Sequence, residues 1–344
     1  MKHPNSGYFY FGKGLGDALL EENNSRFKLN YYLFKRSAYL FKDKVDLLYL
    51  SPLHKLLFPQ RNKFDLVHFT DQTCRLSPAR VNAKKVMTIH DINKVHIKFS
   101  RPSRIAAHIE NLRKKVLLVD RVVTISDFVR RDVLAYIPEA AHKISVIYNG
   151  ADKLVVKKDH EPNYKPERPF IFTIGLLSIQ KRFHVLPALL QNNDLELVIS
   201  GVETPHKSVI LEEARKHNCQ DRVTITGPVN DDDKAWYYKN CSAFAFPSIA
   251  EGFGLPVIEA MYFGKPVFLS KYTSLPEVGG DVAYYFDNFE PAHMQKVFAD
   301  GMQDFKDNNR AASIIKNAER FSWQNTAQQY LQLYQDCLDS KLSS

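Results

Sequence analysis

The sequence lacks the features that mark several common protein classes. Its four cysteines (Cys74, Cys219, Cys241, Cys337) are scattered, with no C-x-x-C pair and no His/Cys cluster. That argues against a disulfide frame or a zinc site and reads as reduced, structural thiols. No apolar run approaches the ~20 residues that a bilayer-spanning helix needs. There is no basic-then-apolar start of signal-peptide type, so the expected location is the cytoplasm. Repeats and low-complexity stretches are also missing. What remains is 344 residues, 44% hydrophobic and 25% charged, an ordinary globular balance. That length exceeds one ordinary core and predicts about two domains.

The charge is uneven. Residues 1–165 hold 30 Lys+Arg against 16 Asp+Glu, and the remainder 17 against 22. A basic half calls for an anionic partner: nucleic acid, a membrane surface, or a phosphate-bearing acceptor. Basic clusters stand at Lys84-Lys85, Lys94-Val95-His96-Ile97-Lys98, Arg101 to Arg104, Arg113-Lys114-Lys115 and Arg130-Arg131. Aromatic interleaving there is sparse, which argues against stacking on single-stranded nucleic acid, and no nucleic-acid partner is expected. Each cluster alone reads as a solvated helix face. The asymmetry between the halves is the stronger signal.

Short apolar segments alternate with helical ones. Leu29 to Phe34, Val45 to Leu50, Leu66 to Phe69, Val86 to Ile89, Arg121 to Ile125 and Ile144 to Tyr148 read as strands. Tyr8 to Glu22, Ser103 to Val119 and a Ser126-capped segment through Leu134 read as helices. This alternation predicts a parallel α/β fold with ligands at the carboxyl ends of strands. Gly12, Gly14 and Gly16 are spaced as G-x-G-x-G, but no strand precedes them, so they are not read as a dinucleotide fingerprint. His90 follows a strand. A neutral imidazole there can hydrogen-bond a ligand hydroxyl or help screen charge, and a buried histidine bonded to backbone is the plainer alternative. His68, also at a strand end, is read as facing an acceptor. Asp91 is read as a cap.

Residues 153–169 are polar and contain Pro162, Pro166 and Pro169, which predicts a linker between domains 1–152 and 170–320. Phe170 to Ile174 then reads as a strand, followed by Gly175 and the basic pair Lys181-Arg182. A strand, a glycine and a basic residue before a helix make a phosphate site. Leu195 to Ser200, Arg222 to Gly227 and Tyr284 to Asp287 continue the strands. Asp231-Asp232-Asp233 fits helix N-terminal charge better than a D-x-D metal site, so no metal is expected. The stretch Phe244 to Met261 is the centre of the chain. Ala243 to Phe246 is a buried strand, Glu251-Gly252-Phe253-Gly254 a loop, and Leu255-Pro256 a helix start, with Pro256 suited to the first turn and Gly264 to the C-terminal cap. Glu251 and Glu259 stand eight residues apart, beside a helix N-terminus suited to a diphosphate.

The string Phe246-Pro247-Ser248…Glu251-Gly252-Phe253-Gly254-Leu255-Pro256…Glu259-Ala260-Met261…Gly264-Lys265-Pro266-Val267 resembles the E-x7-E element of retaining glycosyltransferases of the group 1 family. The resemblance is specific from about Val86 onward and loose before it. It implies the GT-B fold: two Rossmann-like doubly wound parallel-sheet domains facing a cleft, with residues 321–344 as a helix returning to the first domain. It also implies transfer of a sugar from a nucleotide diphosphate sugar, GDP-mannose or a UDP-sugar, to an acceptor hydroxyl, with no cofactor beyond that co-substrate and no metal. Glu259 would bind the ribose hydroxyls. Glu251, with the N–H groups of Gly252, Phe253, Gly254 and Leu255, would contact sugar and diphosphate. Lys181 aligns with the family lysine and would hold the diphosphate. Gly175 belongs to the same segment, and Arg182 would compensate for Gln180, which stands where an arginine is frequent. The end of the strand at Gly227 would line the base pocket, and His90 would contact the donor sugar.

Asn5-Ser6-Gly7 resembles the family's Gly-rich phosphate loop, with Gly7 as its glycine. Only six residues precede Gly7, so the usual first strand is expected to be missing. The basic first domain suits a lipid-diphosphate-linked glycan, as in lipopolysaccharide or capsule assembly, and peripheral contact with an anionic inner membrane face. Two alternatives stay open: a nucleotide-sugar epimerase or hydrolase, and a non-catalytic partner subunit of an active transferase.

Overall fold

The computed structural model describes residues 7–96 and 101–340. The chain divides into two compact units. One comprises residues 1–151 and 321–344, the other 152–320.

In the first unit, α1 (Gly7–Glu22) precedes a two-stranded parallel sheet of β1 (Asn30–Leu33) and β2 (Asp46–Tyr49). A second parallel sheet runs in order β3 (Leu66–Phe69), β4 (Lys84–Ile89), β5 (Arg121–Thr124), β6 (Ile144–Val146), with α2 (Pro102–Leu117) and α3 (Asp127–Tyr136) as crossovers. Among the described residues no strand joins the two sheets. Asn5 and Ser6 of the Gly-rich loop, and Ile97 and Lys98 of one basic cluster, lie outside the described residues.

The core of this unit is built from both ends of its sequence. Phe11, Leu15, Ala18 and Leu19 of α1 pack with Val86, Val123 and a late helix carrying Ala327, Tyr330, Leu331, Tyr334 and Cys337. Gly14 is a packing residue, because a Cβ there would lie 2.2 Å from the Trp323 indole.

The second unit is a six-stranded parallel sheet. Its strands are β7 (Phe170–Ile174), β8 (Glu196–Ser200), β9 (Val223–Gly227), β10 (Ala243–Phe246), β11 (Val267–Ser270) and β12 (Tyr284–Phe286). The connecting helices are α4 (Lys207–Lys216), α5 (Asp231–Asn240), α6 (Leu255–Tyr262) and α7 (Leu275–Gly279), followed by α8 (Pro291–Asp307) and α9 (Ala311–Ala318). Helix α10 (Trp323–Asp339) belongs to the first unit, capped by the Ser322 hydroxyl. The strand order β12-β11-β10-β7-β8-β9 is doubly wound and reverses between β7 and β10. Strands β7, β8 and β10 are apolar and almost entirely buried, as expected where helices cover both faces of a sheet.

Residues 153–169, expected as a linker, contain no helix or strand. They are clasped to the second unit. Lys157 pairs with Asp232 and His160 with Asp233, both at 2.6 Å, while Tyr164 bonds Glu196 and receives the Tyr237 hydroxyl on its carbonyl. The acidic triplet Asp231-Asp232-Asp233 occupies the first turn of α5, capped by Asn230. The carboxylates meet both the helix dipole and this basic segment. Among the described residues no helix is long and apolar enough to cross a membrane.

Candidate active site

An open doubly wound sheet binds ligands where its strand order reverses, at the carboxyl ends of the strands. In the second unit that point lies between β7 and β10. The two loops that leave these strands carry Lys181 and Glu251, and their side chains form an ion pair. Both are mostly shielded, with 21% and 12% of the side chain exposed. The Lys181 ammonium also sits 4.9 Å from the centre of the Phe246 ring, at the end of β10. The two loops are stitched together by Ile249 N to Gln180 O (2.9 Å) and Ser248 Oγ to Gln180 O (3.2 Å).

The Glu251 loop is braced from the loop that follows β11. Thr273 Oγ1 accepts from Glu251 N (3.1 Å), and Ser274 Oγ donates to the carbonyls of Glu251 (3.1 Å) and Phe253 (2.8 Å). Gly254 then turns into α6 at φ 118°, with no side-chain cap on that helix. Pro256 lies in the first turn and Gly264 closes the C-terminus in the left-handed region. The N-terminus of α6 therefore presents main-chain N–H groups and the positive end of its dipole.

Glu259, on α6, is engaged from α5. Lys234 Nζ stands 3.1 Å from Oε1, and the Tyr238 hydroxyl donates to Oε2 at 2.9 Å. Burial raises the Glu259 pKa, opposed by the Lys234 charge and these hydrogen bonds. Lys234 and Tyr238 are four residues apart on one face of α5. Sequence reasoning missed both, and the available signal was a lysine one turn before a tyrosine within a buried stretch.

Gly175, Gly201 and Gly227 close the ends of β7, β8 and β9. Gly201 is the position where only glycine fits. Its φ is +135°, and a Cβ would lie 1.8 Å from the Gly175 carbonyl oxygen. At Gly227 a Cβ would meet nothing within 4 Å, so the end of β9 is open. Arg182 points elsewhere than Lys181. Its backbone is left-handed (φ 54°), its guanidinium lies 4.9 Å from the Phe289 ring centre, and its buried Nε has no hydrogen-bond partner among the described residues.

The other expected site residues lie in the first unit. His90 follows β4, is buried, and donates from Nε2 to the Thr70 carbonyl at 2.8 Å. A carbonyl only accepts, which fixes the tautomer and leaves Nδ1 as an acceptor. Burial lowers the His90 pKa and keeps the ring neutral. The rings of Tyr8 and Phe11 pack edge-on against it at 4.8 and 4.5 Å, so the first turns of α1 adjoin His90, while Gly7 at the helix start is exposed. Asp91 caps the next turn by accepting from Asn93 N. His68 departs from its expected role. Both its nitrogens are taken, by Tyr334 (2.7 Å) and Thr88 (2.8 Å), and it stacks on Tyr330. It joins β3 and β4 to α10 in the core rather than facing an acceptor.

Known proteins resemble this chain in sequence and in fold. The model of "Glycosyl transferases group 1" matches residues 155–321, and that of "Glycosyltransferase Family 4" matches residues 16–153. The chain is 26% identical over 312 residues to O-antigen chain mannosyltransferase B of Escherichia coli, covering 83% of this chain and 80% of that protein. It is 28% identical over 229 residues to the serotype-specific mannosyltransferase WbdA of Escherichia coli, covering 60% of this chain but 28% of that longer protein. The fold resembles sucrose-phosphate synthase from Thermosynechococcus elongatus, with a TM-score of 0.72 at 19% identity over 96% of this chain and 93% of that one. Sequence and architecture thus agree that the chain is a GT-B glycosyltransferase that joins a family 4 domain to a group 1 domain.

Proposed function

We propose that this glycosyltransferase moves a mannosyl group from a nucleoside diphosphate sugar, GDP-mannose first, to a hydroxyl of a lipid-linked surface glycan. The choice of mannose and of a surface glycan is supported by relatives named as O-antigen chain and serotype-specific mannosyltransferases, and the lipid linkage by the basic charge of the first unit. The observation that carries the donor assignment is the Lys181–Glu251 pair at the switch point, beside the uncapped N-terminus of α6. Transfer breaks the bond between the anomeric carbon and the diphosphate oxygen and forms one to the acceptor oxygen, releasing the acceptor proton. Negative charge grows on the leaving diphosphate. Lys181 and the α6 dipole meet that charge, the work a metal does elsewhere. Glu251 orients the sugar and steadies positive charge at the anomeric carbon. Glu259 receives the ribose hydroxyls, and the open end of β9 takes the base. His90 offers Nδ1 to a sugar hydroxyl. The configuration at the anomeric carbon is retained, and the basic first unit takes the acceptor.

The test is a thermal-shift panel of GDP, UDP, ADP and their sugars, with Glu259→Ala alongside. A ligand at about 100 times its dissociation constant adds roughly 2.7 kcal/mol of stability. The expected result is a shift with GDP and GDP-mannose that disappears in the variant. A shift with UDP alone would change the donor, and no shift with any nucleotide would sink the donor site. Product stereochemistry by NMR then tests retention.

A further inference from the structure

The first unit carries an apolar feature that sugar transfer does not use. It is the turn Ser51-Pro52-Leu53-His54-Lys55-Leu56-Leu57-Phe58, which leaves the carboxyl end of β2. The turn is tightly specified. Ser51 Oγ accepts from Leu53 N, His54 Nδ1 accepts from Ser51 N, and the N–H groups of Leu56 and Leu57 both return to the Leu53 carbonyl.

One side of the turn faces the protein. His54 Nδ1 bonds the Tyr32 hydroxyl at 2.7 Å, and Phe58, 5% exposed, packs edge-on against the rings of Tyr32 and His54. With His54 and Phe58 turned inward, the remaining apolar side chains are forced outward. Leu53, Leu56 and Leu57 are 70%, 70% and 68% exposed. Three neighbouring leucines held in water by a hydrogen-bonded turn mark an interaction surface rather than a scattered exposed apolar residue.

The surroundings identify the partner. Strands β1 and β2 are parallel and in register to their ends, and Leu50 N donates to Leu33 O. The segments that follow both strands therefore leave the same edge. The segment after β1 brings exposed Lys35, Arg36 and Tyr39 to that edge. Residues 47–64 contain no acidic side chain, and Arg61 and Lys63 close the turn as exposed cations. A leucine knuckle rimmed by lysine and arginine matches a bilayer with anionic headgroups: the leucines enter the acyl boundary and the cations stay with the phosphates.

We propose that Leu53, Leu56 and Leu57 form a membrane-insertion knuckle that docks this transferase on anionic lipid. This deepens the lipid-linked acceptor reading and rests on it for its purpose, though not for its geometry. The partner is a phospholipid surface. A second copy of the chain is the outcome that the experiment must separate from it.

The experiment is co-sedimentation of the full chain with vesicles of phosphatidylcholine alone or mixed with phosphatidylglycerol. The wild type is expected to bind the anionic vesicles and release with salt. L53S/L56S/L57S is expected to bind at least about tenfold more weakly, with an unchanged unfolding midpoint and nucleotide response, because these side chains are mostly exposed. In L56W the indole emission should shift to the blue when anionic vesicles are added. The proposal is overturned if the wild type ignores anionic vesicles, if the triple variant binds as well as the wild type, or if that variant instead abolishes a dimer. Vesicle binding without any nucleotide response would leave the knuckle standing and remove the donor assignment.

Discussion

Lys234→Met isolates the interaction that sets Glu259. The methionine keeps most of the apolar stem and deletes the ammonium, which stands 3.1 Å from Glu259 Oε1. The lysine side chain is 9% exposed and that of Glu259 12%. At an effective dielectric of about 20, opposite charges at this distance attract by about 5 kcal/mol. Removing one partner of a buried pair costs roughly 3–5 kcal/mol. The second carboxylate near Lys234, Asp231, is 68% exposed and loses little.

Proton linkage gives this loss a direction. Burial already raises the folded-state pKa of Glu259 above its unfolded value. Folding therefore takes up a proton, and stability falls as pH rises from the unfolded to the folded value. Without Lys234 the folded value climbs further, and the fall extends to higher pH. Denaturation of the full chain should show Lys234→Met losing about 3–5 kcal/mol at alkaline pH and progressively less as the pH is lowered and Glu259 takes up a proton. Adding Glu259→Gln should restore most of the loss at alkaline pH. An equal loss at every pH, or no rescue by the second substitution, would refute the reasoning.

Three further outcomes follow from the same geometry. Lys181→Met should lower kcat by about 10²–10³ with a smaller change in KM, since the ammonium acts on charge that develops in the transition state; steady-state kinetics decide, and an effect on KM alone would contradict it. Gly201→Ala should fail to fold or lose nucleotide binding, because its Cβ would overlap the Gly175 carbonyl and its φ of +135° is closed to alanine; a wild-type melting curve would count against that. Acid should destabilise the first unit, because burial pushes the His68 pKa down to about 3 and also lowers that of His90. Both rings are neutral when folded, so stability present above about pH 6.5 drains away as pH falls, by up to about 1.4 kcal/mol per unit for each histidine. His68→Gln should flatten that acid limb in urea titrations across pH.

Most strands of both units were legible because a parallel strand covered on both faces is written as a short apolar run, and Ala243 to Phe246 or Leu195 to Ser200 needs no partner to be recognised. The E-x7-E loop was legible for a similar local reason: Gly254, Pro256 and Gly264 are dictated by backbone geometry within one strand–turn–helix unit. Contacts far apart in the sequence were not. His68 follows the strand-end pattern of His90 in sequence. It belongs to the core only because α10, 266 residues later, brings the Tyr334 hydroxyl to Nδ1. Residues 153–169 read as linker from their prolines and charge, yet Asp232 and Asp233 hold that segment to α5.

That last attachment bears on how the proposed donor site is held. Helix α5 works on two sides. Asp232, Asp233 and Tyr237 grip the segment that joins the units, while Lys234 and Tyr238 grip Glu259. The gripping residues alternate along one helix of ten residues, so a rotation of α5 that loosened the joining segment would also withdraw Lys234 and Tyr238 from the carboxylate. The buried Asp233 makes the arrangement sensitive to its partner, because only one of its oxygens is bonded to His160 and the other has no partner among the described residues. A carboxylate buried in this way is tolerated only where its position is over-determined. Here the capping bond from Asp233 N to Asn230, the His160 pair and the Tyr237–Tyr164 bond together fix it. The geometry of Glu259 thus depends on a segment with no regular structure of its own, which is why the acidic triplet reads as a mere helix start until the fold is seen.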